Sequence, residues 1–276
     1  MYFDNLLYFC TMFKKAVFSI LIVGTLAFSY GCKSYNKTLK SANNELKYET
    51  GIDLYENGDF NKALQFFDVL RAVYRGTDKG EKLAYYTANC YFQLKNYEIA
   101  SHYYKQYAQM YPMADKAEEA SFLSAYCNYL ASPRPTLDQS NTFLALKELQ
   151  LFIDMYPKSP KVEEANKLMD DLRKKLEIKN YNIGKLYYRM EDFQAAITSF
   201  QNLLEDYPDT EFKEEILYYI TKAYYVYAEK SVFTKKEERY EKTIEAYNNL
   251  LFMYPESEYL KEVESINENA RKKLSN

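Results

Sequence analysis

Residues 192–210 read DFQAAITSFQNLLEDYPDT, and variants of this segment recur along the 276-residue chain. Each copy closes on a tyrosine, and four of the five tyrosines precede a proline. Proline lacks an N–H group and disfavours helical geometry in the residue before it, so a Tyr-Pro pair is expected to end a helix. The tyrosines are Tyr74, Tyr111, Tyr156, Tyr207 and Tyr254, and the prolines are Pro112, Pro157, Pro208 and Pro255.

Three further positions of the repeat share one helical face. A large residue, usually aromatic, stands seven residues before the tyrosine, and in most copies another aromatic stands fourteen residues before it. Between them, eleven residues before the tyrosine, lies a small residue, at Ala63, Ala100, Ala145, Ala196 and Thr243. Spacings of 3, 4 and 7 place these positions on one side of a helix, where the small residue leaves room for a second helix.

A partner helix precedes each segment. In repeats one, two and four a small residue, Gly51, Ala88 or Gly184, stands twelve residues before the small position of the segment. In repeats three and five the match is Ala125 or Ala223, at a distance of 20 residues. Each unit is therefore predicted to be a helix–turn–helix, which must stack on its neighbours to bury its apolar stripe.

These residues resemble the tetratricopeptide repeat. Repeats two and four match it at four positions, which are Ala88, Ala100, Tyr104 and Pro112, and Gly184, Ala196, Phe200 and Pro208. The resemblance and the repeat count predict an all-α superhelical solenoid of about five helix pairs.

A proline-free stretch, residues 161–189, interrupts the repeat spacing. Its opposite charges at helical spacing, such as Glu163 with Lys167, indicate one helix of about 28 residues, roughly 40 Å long. We therefore expect repeats one to three at 42–160, a long connecting helix at 161–189 that runs into repeat four, and repeats four and five with a C-terminal helix at 184–276.

The N-terminal segment MFKKAVFSILIVGTLAFSYGCKS (12–34) has the order of a secretory signal, with Lys14 and Lys15 before a short apolar run. Because it closes on Gly31-Cys32, it resembles a bacterial lipoprotein signal, which implies that Cys32 receives fatty acyl chains such as palmitate and becomes the new N-terminus. Residues 1–31 are then signal peptide, with Met12 the more natural start, and 32–41 a lipidated tether. The alternative is an uncleaved anchor with an incidental cysteine.

Composition and motifs exclude several classes of function. The net charge of −3, without a basic patch interleaved with aromatic residues, argues against nucleic-acid binding. The single histidine, His102, lacks an identifiable partner, and no catalytic or phosphate-binding motif occurs, so we expect no enzymatic activity, no cofactor and no metal. Cys90 and Cys127 occupy equivalent positions in adjacent repeats and are expected too far apart for a disulfide, so both thiols should be free.

A more specific resemblance lies at 130–160, LASPRPTLDQSNTFLALKELQLFIDMYPKSP. This stretch, the lipoprotein leader and the long helix between three and two repeats resemble the BamD family of outer-membrane β-barrel assembly lipoproteins, in its Bacteroidetes branch. The resemblance implies anchoring at the periplasmic face of the outer membrane. It also implies a BamA-like insertase, bound through POTRA domains at the C-terminal repeats, and unfolded barrel proteins, bound at the N-terminal repeats. The alternative is a cell-envelope scaffold lipoprotein that coordinates peptidoglycan or division proteins.

In solenoids of this type the first helices line the concave face. The residues three before, one after and four after the small position of each first helix then point into this face. Repeats one to three contribute nine such residues, and seven of the nine are aromatic. We call this set the candidate groove and expect it to hold an aromatic-tipped barrel strand, although such rings can also simply pack between neighbouring helices. Its members are Tyr48, Ile52, Tyr55, Tyr85, Asn89, Phe92, Phe122, Tyr126 and Tyr129.

The leader generates a first prediction. The substitution Cys32→Ala should block lipid attachment and leave the protein as inner-membrane precursor or soluble in the periplasm, while the repeats fold normally. Cell fractionation and mass spectrometry measure both outcomes. An unmodified Cys32 in mature wild-type protein from the outer membrane would contradict the lipoprotein interpretation.

Overall fold

The computed structural model describes residues 35–275, so the predicted signal peptide and the predicted lipidation site Cys32 lie outside the described residues. A short helical segment at 35–39 precedes eleven helices, and no strand occurs within 35–275. The prediction of an all-α tetratricopeptide solenoid is confirmed. The helices are α1 (Asn44–Glu56), α2 (Phe60–Leu70), α3 (Asp78–Gln93), α4 (Tyr97–Met110), α5 (Ala117–Ala131), α6 (Ser140–Met155), α7 (Val162–Arg189), α8 (Phe193–Asp206), α9 (Lys213–Glu229), α10 (Phe233–Met253) and α11 (Leu260–Leu274).

The chain divides into two compact units. The first contains the described residues up to Ala131 together with Asp154–Tyr156, and the second contains Ser132–Ile153 and the residues from Pro157 onward. In the first unit each helix from α1 to α5 packs on the next, and in the second unit the same holds from α7 to α11. The sequence-based division after residue 160 stays a prediction.

In two of the pairs, the second helix packs directly against a glycine of the first. A Cβ atom built on Gly184 of α7 would lie 2.5–2.9 Å from three ring atoms of Phe200 in α8. In the first pair, a Cβ on Gly51 would lie 3.0 Å from Cβ of Phe66 and 3.1 Å from the ring of Phe67. Phe67 and Phe200 both stand seven residues before a closing tyrosine, so the same two columns of the repeat meet in both pairs.

The turns of the three regular pairs share one backbone conformation. Gly58, Lys95 and Glu191 occupy the same position of the turn and have φ angles of 80°, 60° and 61°. In each turn the next residue donates its N–H to a carbonyl five residues back, as from Asn96 to Tyr91 and from Asp192 to Tyr187. This is the Schellman type of helix ending, which needs a residue in the left-handed region, where glycine is the least strained choice.

The long helix α7 spans 28 residues in the stretch where the sequence indicates a single helix. Two lysines of α7 fix the loop before α6, residues 132–139, to the side of α7. The Lys175 ammonium donates to Ser132 Oγ at 2.7 Å, and the Lys179 ammonium donates to the Leu137 carbonyl at 2.7 Å. Burial lowers the pKa of Lys175. The SPRP-containing loop is therefore held by charge-assisted hydrogen bonds.

Cys90 and Cys127 are free and buried, as the repeat spacing predicts. Burial raises the pKa of each thiol to about 12, so both stay protonated at neutral pH. These thiols pack as small apolar side chains.

The helix crossings generate a second prediction. Gly184→Ala and Ala196→Leu should each lower the free energy of unfolding by about 1–3 kcal/mol, because Phe200 is fully buried and cannot move aside without disturbing its neighbours. Denaturant unfolding measures the change, and Asn182→Ala, at an exposed position of the same helix, serves as the control. Unfolding free energies equal to that of the control would show that the repeat register is wrong.

The turns generate a third prediction. Lys95→Gly should raise the free energy of unfolding by about 0.5–1 kcal/mol, because glycine removes the left-handed strain at the expense of a more flexible unfolded chain. Lys95→Ala removes the same side chain and keeps the strain, so it should give no such gain. Equal stabilities of the glycine and alanine variants in denaturant unfolding would refute the explanation.

Candidate peptide-binding surface

The candidate groove begins on α1, where all three of its members are partly buried. The Tyr48 ring meets Tyr74 edge-on at 5.7 Å between centroids. The Tyr55 ring stacks on Tyr86 of α3 at 4.1 Å. Burial raises the pKa of the Tyr55 hydroxyl to about 12. These rings use part of their area to join α1 to its neighbours and leave part of it exposed.

On α3 a polar residue connects two of the tyrosines. The Tyr55 hydroxyl donates to Asn89 Oδ1 at 3.0 Å, and Asn89 Nδ2 donates to the Tyr104 hydroxyl at 3.2 Å. Asn89 therefore satisfies hydroxyls from α1 and α4 at once, and it fixes the orientation of both rings. The spacing of the repeat identifies the position of Asn89 but gives no sign of this bridge.

On α5 the rings form a ladder. Phe122 and Tyr126 lie nearly parallel with centroids 6.1 Å apart, and Tyr126 and Tyr129 lie 6.0 Å apart with a similar tilt. Phe92 of α3 lies 6.4 Å from Tyr126 and extends the row to the preceding pair. Aromatic rings from two first helices thus follow one another along the first unit.

Burial separates the nine residues of the candidate groove into two groups. Tyr85 and Phe122 have exposures of only 6% and 4%, so their rings belong to the core. The Tyr85 ring packs edge-on against Tyr104 and Tyr107, which explains its burial. The expectation that these two residues line an open groove is therefore wrong. The other seven are partly exposed, and their role in binding stays a prediction.

Lysine ammonium groups lie over several of these rings. Lys79 Nζ is 4.9 Å from the centroid of Tyr48, and Lys116 Nζ is 4.5 Å from that of Tyr85. Both lysines are also paired with carboxylates, Lys79 with Glu45 and Lys116 with Glu119. Because these positive charges are neutralised by carboxylates nearby, the exposed ring faces are the main chemical feature of this surface.

The second unit exposes a different set of apolar side chains. Val232, Phe233 and Phe252 have exposures of 69%, 89% and 87%. Val232 and Phe233 open α10, and Phe252 lies near its other end. Phe252 stands two residues before a closing tyrosine, where the other copies carry alanine, glutamine, aspartate or glutamate. A phenylalanine in this mostly polar column is a sequence signal for an exposed apolar side chain, and the repeat spacing alone does not reveal it.

The described part of the chain contains few candidates for a catalytic or metal site. His102 is exposed, with its ring 5.6 Å from that of Tyr103. Residues 35–275 contain no group of three metal-ligating side chains. Nor does any helix in that range have the length and apolar character needed to cross a bilayer.

Stacked helix pairs with partly exposed rings define a helical-repeat protein of the tetratricopeptide class, whose surfaces suit the binding of other polypeptides. Residues 40–239 match the YfiO family, described as an outer membrane lipoprotein, and the chain belongs to this family. The resemblance to BamD is thereby confirmed, because its relatives carry that name.

Two such relatives are named outer membrane protein assembly factor BamD. The protein from Caulobacter vibrioides is 25% identical over 180 residues, which cover 65% of this chain and 59% of the relative. The protein from Rickettsia prowazekii is 24% identical over 216 residues, which cover 76% of this chain and 83% of the relative. A solved tetratricopeptide-repeat protein from Bacteroides fragilis is 13% identical, with a TM-score of 0.37 over 84% of this chain and 99% of its own.

Proposed function

We propose that this protein is a non-enzymatic subunit of the machinery that assembles β-barrel proteins in the outer membrane. Lipid chains on Cys32 anchor it at the periplasmic face of that membrane. The row of partly exposed rings on the first helices of the first unit is the observation that carries the proposal. In a family of outer membrane lipoproteins, such a row suits the capture of unfolded barrel segments.

The first unit binds the substrate. Tyr55, Phe92, Tyr126 and Tyr129 present ring faces that accept aromatic and β-branched side chains of an extended peptide. The tyrosine hydroxyls add hydrogen bonds without reading a strict sequence. Because the nearby lysines are already paired with carboxylates, binding by this surface depends little on salt.

The second unit binds the insertase. Phe233 and Phe252 are almost fully exposed, and large aromatic side chains commonly dominate the energy of a protein interface. A BamA-like protein contributes its periplasmic POTRA domains to this contact. The first unit is then free to bind the substrate while the second unit stays bound to the insertase.

A fourth prediction tests both halves of this proposal. Replacing Phe92 and Tyr126 with serine should weaken binding of a C-terminal barrel-strand peptide at least about tenfold, or 1.4 kcal/mol, and leave insertase binding intact. Replacing Phe233 and Phe252 with serine should have the reverse effect. Crosslinking of the peptide and copurification with the insertase are the two measurements, and circular dichroism establishes that both variants fold. Tyr85 is left unchanged because its ring is buried.

Each set of substitutions is the control for the other. If peptide capture persists in the folded Phe92/Tyr126 variant, the rings serve packing alone. If the wild-type protein copurifies with peptidoglycan or division enzymes in place of the insertase, the scaffold alternative replaces the present proposal.

A further inference from the structure

The first described residues dock on the repeats. The Tyr35 ring meets the Phe66 ring of α2 edge-on, with centroids 5.3 Å apart and planes at 88°. Its hydroxyl donates to the Lys62 carbonyl at 3.5 Å, and burial raises its pKa. Phe66 is completely buried. Tyr35 therefore docks the start of the described chain on α2.

Tyr35, which docks on α2, lies close in sequence to Cys32, the proposed lipid anchor. Cys32 precedes Tyr35 by three residues, so their Cα atoms cannot be more than about 11 Å apart. A lipidated cysteine lies at the headgroup level of a bilayer, and a helix with its side chains is about 10–12 Å across. If Cys32 carries lipid, the side of α2 that holds Tyr35 must lie near the membrane surface.

That side of α2 exposes apolar residues. Val69 and Val73 follow Phe66 by three and seven residues, so they share its face of the helix. Their exposures are 46% and 49%. The helical geometry extends past Leu70, because the Tyr74 N–H still donates to the Leu70 carbonyl at 3.0 Å. Two valines thus stand beside the docked tether with apolar area open to a partner.

The charges around the valines suit a phospholipid surface. Lys37 and Lys40 are exposed on the tether. Lys62 and Asp68 on α2 are each neutralised by a salt bridge, to Asp59 and to Arg71, so the tether lysines supply the positive charge. Lysines that flank a small apolar patch favour the interface of a membrane with anionic headgroups. A single lipid anchor is strengthened by such a second contact.

We propose that Val69, Val73 and the described part of the tether, residues 35–41, lie directly on the phospholipid leaflet that holds the anchor. The proposal rests on the lipidation of Cys32 that the proposed function assigns. The contact sets the orientation of the first unit at the membrane, because a docked tether and a helix face allow far less rotation than a flexible linker. The candidate groove is thereby given a fixed direction relative to the bilayer.

The chain contains no tryptophan, so a single introduced indole reports its own environment. The test uses lipidated full-length protein in vesicles of phosphatidylethanolamine and phosphatidylglycerol with brominated acyl chains. The fluorescence of a Val73→Trp variant should fall by about half or more, because an interfacial side chain reaches about 5–10 Å into the boundary of headgroups and acyl chains. The control is Ile99→Trp, at 46% exposure in the first turn of α4, which should keep its fluorescence.

A second variant separates docking from anchoring. Adding Tyr35→Ala to Val73→Trp should leave the protein bound to vesicles in flotation but restore most of the lost fluorescence. The proposal is overturned if lipidated protein floats with the vesicles and the Val73→Trp indole is not quenched, which would indicate that the valines face a protein partner. Mass spectrometry identifies the other failure, in which Cys32 carries no lipid and the protein does not float, and the proposed anchor then falls as well.

Discussion

The helix pairs depend on the contact between a small residue of the first helix and a large, usually aromatic, side chain of the second. Gly184 illustrates the constraint, since one additional carbon atom would come within 2.5 Å of the Phe200 ring. Burial of large rings provides much of the hydrophobic stabilisation of the fold, and a ring can lie across the partner helix only where that helix carries a small residue. The repeat of small and aromatic columns therefore sets the crossing of the helices, and the surfaces described above follow from that crossing.

A second contact recurs between successive first helices. In the second unit, the Lys185 ammonium donates to the Tyr181 hydroxyl and to Glu215 of the next first helix, at 3.0 Å each. One repeat further, the same arrangement joins Lys222 to Tyr218 at 2.8 Å and to Glu262 at 2.7 Å. The Lys222 ammonium and the Tyr218 hydroxyl together lower the pKa of Glu262. Such partly exposed pairs contribute only about 0–1 kcal/mol each, so their main effect is to specify the angle between repeats.

The sequence predicts features that recur as a residue type and misses those that recur only as a backbone conformation. The columns of small residues and Tyr-Pro pairs predict the helix pairs, because packing acts on the same positions in every copy. They fail for the turn residues Lys95 and Glu191, since neither residue type signals a left-handed conformation. Here the Schellman hydrogen bonds, which depend on backbone geometry, override the preference of the side chain for negative φ.

The candidate groove shows the same limit at the level of side chains. Helical spacing places Tyr85 and Phe92 on one face of α3, yet Tyr85 is buried and Phe92 is partly exposed. The difference comes from α4, where Tyr104 and Tyr107 enclose the Tyr85 ring from two directions. The spacing of residues within one helix does not show which of them the side chains of the next helix will cover.

An aromatic stripe on a first helix therefore serves two purposes that only the three-dimensional structure separates. Rings enclosed by the second helix hold the pair together, as Tyr85 does, and rings at the margin keep a free face. Tyrosine suits both positions, because the ring packs as an apolar body while the hydroxyl still finds a partner. Asn89, which accepts from Tyr55 and donates to Tyr104, shows how such hydroxyls are satisfied inside the stack.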